Sequence, residues 1–224
     1  MMEVYWGSGS PFAWRVLLGL EIKKIPYASR LIEFSKGQHK APEFLAINPR
    51  GKVPAIRDGD FALSESPAIL AYLDRKVPEP PLFGRTPEET GRVWQAICET
   101  VGYLEPPTGK IATAIFFNRV AESADDIRAA IKPVHAELAL MEKTLARSSW
   151  LVGDALSAAD IVAYPLVEIL LRAAGKDSAK PFDLALLPLD KTYPAIAAWR
   201  ERIKALPGYE RTYPPHWRDA PQAA

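Results

Sequence analysis

Cysteine is almost missing from this chain: Cys98 is the single example in 224 residues. That excludes a disulfide framework, a Cys-x-x-Cys redox pair and a thiolate metal cluster. Histidine is nearly as scarce, and His39, His135 and His216 lie far apart without ligand spacing, so no metal site is expected. Neither sign of charge is in excess, with 28 Lys and Arg against 27 Asp and Glu and a formal net charge of +1. A nucleic-acid or membrane surface is therefore not expected. No apolar run approaches the ~20 residues of a membrane-spanning helix. The opening MMEVYW has no secretory pattern, and the expectation is a cytoplasmic protein. Internal repeats and low-complexity segments are also missing.

What is present is a globular composition, 48% hydrophobic and 25% charged, long enough for one large or two modest domains. Glu3 to Trp6 reads as a short strand, and Gly7-Ser8-Gly9-Ser10-Pro11 as a loop entering a helix that runs to about Glu21. Pro26 to Leu31 reads as a strand and Pro42 to Ile47 as a short helix. Prolines 78, 80 and 81 mark Val77 to Phe83 as a linker. Beyond Pro87 the pattern is helical, with segments near 88–118, 124–147, 158–174 and 194–205. Pro106, Pro107 and Gly109 should kink or break the first of these. Cys98 falls in its apolar pattern with Val93, Trp94, Ile97 and Val101, and is expected to be a buried packing residue. Ser157 to Asp160 has the spacing of a helix-capping box, a folding element rather than a site.

The densest signal lies between Lys36 and Leu73, KGQHKAPEFLAINPRGKVPAIRDGDFALSESPAILAYL. Val53-Pro54 opens a short β run, Val53 to Arg57, and a proline there is a candidate for a cis bond that would leave the Val53 N–H and C=O free to pair with an extended peptide. A turn at Asp58-Gly59-Asp60 leads to a second run, Phe61 to Leu63. Ser66 then reads as the N-cap, and Pro67 as the first residue, of a helix to about Arg75. The first-turn N–H groups of such a helix attract a carboxylate, while Glu65 offers an anion for an ammonium group. A molecule with a free α-amino and α-carboxylate at one end and a peptide in the middle satisfies all three features, and glutathione is such a molecule. Singly, Ser66 is more simply a cap and Pro54 a turn former; the ordered set favours the ligand.

The order KGQHK, NPRGKVP, LSESPAIL resembles the glutathione transferase family over nearly the whole chain, most of all its theta class, while SPFAWRV near the start is also similar to tau and zeta patterns. The resemblance implies an α/β thioredoxin-like domain over residues 1–80 and an all-α domain over 87–224 carrying the wall of the electrophile site. It also implies glutathione as co-substrate without a metal, a small-molecule electrophile as partner and a homodimer. Carried over residue by residue, it assigns His39 or Lys40 and Lys52 to the glycine carboxylate, Val53 to the cysteinyl backbone, and Glu65 and Ser66 to the γ-glutamyl end. Lys40 and Lys52 could equally be solvated charges, although Arg50 beside them makes a mildly positive rim.

Conjugation needs the thiolate, and glutathione's thiol ionises near the cysteine value of roughly 8.5. Lowering it by about two units takes about 2.7 kcal/mol, within reach of one charge-assisted hydrogen bond plus a helix N-terminus. Ser10 stands after the first strand and before Pro11, and matches the family's catalytic serine; the plainer alternative is a simple N-cap. Ser8 competes for the role or assists it, and Tyr5 is less suited because of its strand position. Phe12, Tyr103, Phe116 and Arg119, with Trp94 and Phe117, are candidates to line the electrophile site, against the plainer reading of aromatics at helical spacing as core. The tail from Tyr209 folds back over the cleft or packs on the surface. The resulting function is a glutathione transferase. A zeta-like maleylacetoacetate isomerase and a non-catalytic module of the same fold are the alternatives, the former weakened because SGSPF lacks the adjacent serines and cysteine of the zeta motif.

Overall fold

The computed structural model describes Met1–Arg218. Strand β1 (Met2–Trp6) is followed by α1 (Pro11–Ile22), β2 (Tyr27–Leu31), two 3-10 turns spanning 34–40, α2 (Pro42–Leu45), β3 (Ala55–Asp58), β4 (Phe61–Ser64) and α3 (Ser66–Lys76). The sheet order is β2-β1-β3-β4, with β1 parallel to β2 and antiparallel to β3, and β3 antiparallel to β4. Strand side chains alternate between faces. Val4 and Ile56, paired in register, meet Val16, Leu20, Ile69 and Leu73 of α1 and α3 in one core layer. Ala55 turns the other way and packs with Phe44 of α2, Ile32 and Val53. A mixed four-stranded sheet with helices on both faces is the expected thioredoxin-like arrangement.

On the α2 side of β1, Glu3 ties three strands together. Its carboxylate accepts from Arg30 Nη2 at 2.7 Å on β2 and from Arg57 Nε at 2.7 Å on β3. These two donors hold the Glu3 carboxyl below the usual carboxylate range.

The remaining chain is helical: α4 (Pro87–Glu99), a wide π-type turn (Thr100–Leu104), α5 (Glu105–Phe116), α6 (Ala124–Leu145), α7 (Ala158–Ala174), a 3-10 turn (Asp177–Phe182), α8 (Leu189–Thr192), α9 (Pro194–Lys204), α10 (Tyr209–Thr212) and α11 (Pro215–Arg218). Pro106 and Pro107 fall in the first turn of α5, where a missing N–H costs little, and the wide turn absorbs the break expected there. Cys98 is exposed, not buried as expected, because α4 turns Val93 and Ile97 inward, Thr100 following on the same side, and leaves position 98 beside that face. His135 is structural: Nδ1 bonds the Tyr193 hydroxyl at 2.6 Å and Nε2 the Leu184 carbonyl at 2.9 Å.

Helix α7 is apolar nearly all round and lies in the middle of the helical unit. Its start is a complete capping box. Asp160, fully buried, accepts from the Ser157 N–H at 2.9 Å, the Ser157 hydroxyl at 3.0 Å, the Leu151 N–H at 2.9 Å and Trp199 Nε1 at 2.9 Å. Burial pushes its carboxyl upward, and these four donors pull it back.

The chain forms two compact units, Met1–Phe83 joined by the described residues from Ala205 onward, and Gly84–Lys204. Residues 205–218 thus belong with the α/β unit, although the sequence reading placed them in the helical domain of 87–224. The cause is Trp14 of α1, 2% exposed, whose Nε1 donates to Thr212 Oγ1 at 2.9 Å and whose ring meets Tyr209, Tyr213 and Trp217 with centroids 5.4 to 6.1 Å apart. The tail residues beyond Arg218 lie outside the described residues.

Candidate active site

The site grows from the loop joining β1 to α1. Ser10 is the N-cap of α1, with its backbone extended (φ −73°, ψ 117°) and Pro11 opening the helix. Its Oγ accepts the Ala13 N–H at 3.2 Å, and its own N–H closes the loop onto the Gly7 carbonyl at 3.1 Å. Among the described residues no acceptor takes the Ser10 hydroxyl proton. The half-buried oxygen is polarised by a helix N–H and retains a proton to give, in the positive potential of the α1 N-terminus.

The neighbours of this loop are shown by what a side chain at its glycines would strike. A Cβ on Gly7 would come within 2.5 Å of the Phe34 ring and 3.3 Å of Val53 Cγ2. Phe34 in turn meets the His39 ring edge-on at 5.1 Å. A Cβ on Gly51 would come 2.8 Å from the His39 carbonyl oxygen. Ser10's loop, the His39 turn and the Gly51-Lys52-Val53 segment are therefore brought together. His39 Nδ1 is buried and without a hydrogen-bond partner among the described residues. Lys40, Lys52 and Arg50 are exposed. Val53–Pro54 is cis as expected, but β3 begins at Ala55, so Val53 lies before the strand rather than in it.

The third edge is the start of α3. Here the N-cap is Glu65, one residue earlier than expected, and Ser66 is the first helical residue with Pro67 next. Glu65 is exposed and sits at φ 72°, ψ 110°, a conformation that costs a non-glycine residue on the order of 1–3 kcal/mol. Ser66 is 4% exposed, and its Oγ accepts from Arg15 Nη1 at 3.3 Å instead of capping the helix. Arg15 itself is 1% exposed and lies over the Phe12 ring, 5.1 Å from its centroid.

Two residues that shape this site were missed from the sequence. Arg15 carries a buried positive charge from α1 to the α3 start; within SPFAWRV only its unusual place among apolar neighbours could have flagged it. Asn48, 2% exposed, receives the Arg50 N–H on Oδ1 at 3.2 Å and donates Nδ2 to the Lys52 carbonyl at 2.6 Å, shaping the turn that delivers Lys52 and Val53. The Asn-Pro-x-Gly composition of that turn was the available signal.

The expected electrophile residues of the helical unit are spread along α4, α5 and the turn between them. Tyr103 lies on the wide turn before α5, 63% exposed, and half-buried Phe116 ends α5. Thirteen helical residues separate them by about 20 Å along the axis, too far to face one small molecule together. Exposed Arg119 follows that helix, with Phe117 71% exposed beside it. Trp94 lies on α4, 37% exposed, and Phe12 is engaged by Arg15 in the α/β unit.

Residues 9–76 match the domain described as glutathione S-transferase, N-terminal domain, and residues 104–207 match glutathione S-transferase, C-terminal domain. The chain belongs to the glutathione S-transferase family. It is 31% identical to glutathione S-transferase A of Pleuronectes platessa over 230 residues, covering 99% of this chain and 95% of that protein. The solved structure of a glutathione S-transferase from the Antarctic clam Laternula elliptica superposes with a TM-score of 0.80 at 32% identity, covering 98% of this chain and 94% of that one. A maleylacetoacetate isomerase of Pseudomonas aeruginosa is 26% identical, covering 99% of this chain and 100% of that protein. The family thus supplies an enzyme with the sheet and helical units described here, and gives the Ser10 loop, the His39–Val53 segments and the α3 start a common ligand to consider.

Proposed function

We propose that this enzyme binds glutathione along the edge formed by the Ser10 loop, Val53 and the α3 start, and stabilises its thiolate with the Ser10 hydroxyl for attack on a small electrophile. The observation that carries this reading is the state of Ser10 Oγ. Its oxygen is engaged by the Ala13 N–H while its proton has no acceptor among the described residues, which suits a donor to an anionic sulfur. In this reading the Val53 backbone pairs with the cysteinyl peptide. Glu65 and Ser66 hold the γ-glutamyl ammonium and carboxylate, with Arg15 behind Ser66 reinforcing the carboxylate end. His39, Lys40 and Lys52 receive the glycine carboxylate. The strained Glu65 backbone supports the assignment, since such conformations persist where a site holds them.

A homodimer in the cytosol completes the proposal by family analogy; no described helix is long and apolar enough to cross a membrane. The likeness to a maleylacetoacetate isomerase keeps one second reading open, in which glutathione adds reversibly to an unsaturated dicarboxylate and is released after rotation. Retention on immobilised glutathione, followed by assays with a chlorinated nitroaromatic and with a cis unsaturated diacid, tests both. Retention with turnover of the nitroaromatic is expected. Retention with only diacid isomerisation would replace conjugation by the second reading, and failure to bind glutathione would remove both.

A further inference from the structure

The sheet face that α2 covers is not fully closed. Tyr5 lies opposite Ala55, and Glu3 opposite Arg57, in the β1–β3 pairing, so strand alternation puts all four on the α2 side. Between these strands and α2 lies a crevice of about 260 Å³. Its apolar walls are Ile32 after β2, Phe44 of α2 and Ile47 just beyond it, with the Tyr5 ring tilted against Phe44 at 5.8 Å. Gln38, Glu43 and Arg57 supply its polar lining.

Each of these three polar side chains has bonding capacity to spare. Arg57 is paired with Glu3 through Nε at 2.7 Å and through Nη2 at 2.5 Å, and its Nη1 meets no acceptor among the described residues. Glu3 is shared with Arg30, which reaches it through Nε at 2.9 Å and Nη2 at 2.7 Å. Two guanidiniums therefore face one carboxylate, and one positive charge is in excess. Gln38 spends Oε1 on the Glu33 N–H at 2.8 Å, while its Nε2 has no acceptor among the described residues. Glu43 is exposed in the first turn of α2 and forms no ion pair among the described residues. Two donor groups and one separate carboxylate thus line a crevice whose walls are aromatic and branched aliphatic.

We propose that this crevice binds a small aromatic carboxylate carrying a phenol, at a site apart from that of glutathione. The ring packs against the Tyr5–Phe44 pair and the two isoleucines, where a flat apolar group fills the space best. The carboxylate accepts from Arg57 Nη1 and Gln38 Nε2, matching the single surplus charge. The phenol donates to the Glu43 carboxylate, which also turns away a second anionic group. The volume lies just below the usual range for small-ligand sites, roughly 300–1,000 Å³, and limits the ligand to one ring with a short acidic arm. None of the lining residues belongs to the Ser10 loop, the Lys52-Val53 segment or the α3 start. Gln38 and Ala41 line the crevice, whereas His39 and Lys40 between them do not. The inference is therefore independent of how the Ser10 loop is read.

The test is calorimetric titration of the purified chain with para-hydroxyphenylacetate at low salt, because the half-exposed Arg57 is open to screening. One equivalent is expected to bind saturably, with the same affinity in the absence and presence of saturating glutathione. Phenylacetate, without the phenol, and para-hydroxyphenylethanol, without the carboxylate, should each bind several-fold more weakly. Arg57→Gln should weaken the carboxylate about tenfold or more and leave the alcohol unchanged. Gln38→Glu keeps an acceptor for the Glu33 N–H but puts negative charge where Nε2 stood. It should have the same selective effect, and serves as the second variant if loss of Arg57 disturbs the sheet, which denaturant unfolding reports. Displacement of the probe by glutathione, an affinity untouched by both variants, or no saturable binding at millimolar concentration overturns the site.

Discussion

The two serine-capped helices α1 and α7 begin alike and end up chemically opposite. Ser157 and Ser10 each accept a backbone N–H at 3.2 Å from the first turn of their helix. Ser157 also donates its proton to Asp160, and the whole group is buried. Ser10 retains its proton and is half-buried. At the start of α7 the Ser157 and Asp160 side chains are bonded to each other and, through Asp160, to Leu151 and Trp199, so their energy goes into holding the helical unit together. The starts of α1 and α3 are left incomplete, with a hydroxyl that still has a proton to give and a glutamate in a costly conformation. On the proposed function, a cap serves as a folding device or as half of a binding site according to whether its last hydrogen bond is made internally.

The largest test of that contrast is Asp160→Ala. It strands the buried Trp199 Nε1, the Leu151 N–H and the Ser157 N–H at once, and is expected to cost about 3 kcal/mol or more, read from denaturant unfolding. A loss under 1 kcal/mol would mean that the box is not the keystone of the helical unit. Ser10→Ala should cost only about 1 kcal/mol of stability as a lost cap. It should nevertheless raise the pKa of the bound thiol by about one unit, worth about 1.4 kcal/mol, the α1 N-terminus supplying the rest, and depress turnover near neutral pH. That loss should shrink as pH rises past the free thiol value. Ser157→Ala, with a comparable loss of cap, should leave the thiol pKa untouched; equal kinetic effects from both serines would erase the distinction between them.

Glu65 allows a subtler separation. Glu65→Gly removes the positive-φ strain and is expected to stabilise the fold by about 1 kcal/mol while weakening glutathione binding. Glu65→Ala should weaken binding without that gain. If glycine and alanine behave alike in stability, the strain is not real. The smallest effect is expected at the sheet, away from both helix starts. Because Arg30 and Arg57 hold the Glu3 carboxyl low, its stabilisation is present above the ordinary glutamate value of about 4.3 and is lost as pH falls through the lower folded value. Glu3→Gln should therefore lower stability slightly at neutral pH and flatten the acid limb of the profile, since the amide keeps the fold at the level reached once the carboxyl is protonated.

Most of the α/β unit was legible because its signals are local. Pro11 after Ser10, Pro42, the Asp58–Asp60 turn and the Ser66-Pro67 pair each mark a boundary through backbone chemistry that needs no partner. The Ser157–Asp160 box was legible for the same reason. The features that escaped depend on residues distant in sequence. The shift of the α3 cap from Ser66 to Glu65 follows from the Arg15 guanidinium claiming the Ser66 hydroxyl, across 51 positions. The return of residues 205–218 to the first unit follows from Trp14, and a prolific turn-former such as Tyr-Pro-Pro-His gives no hint of which surface it will cover. Cys98 escaped more narrowly, since its helix was recognised but the angle of its buried face was not.

That return has a consequence during synthesis. Trp14 and the Ser8 loop leave the ribosome early, while the residues that cover them, Thr212, His216 and Trp217, come about two hundred positions later. At translation rates of about 5–20 residues per second, the nascent first unit waits on the order of ten seconds with its indole uncovered. A shortened protein ending near Phe83 would carry that exposed tryptophan permanently, and the chaperones that meet this chain have a defined aromatic surface to hold until the last segment arrives.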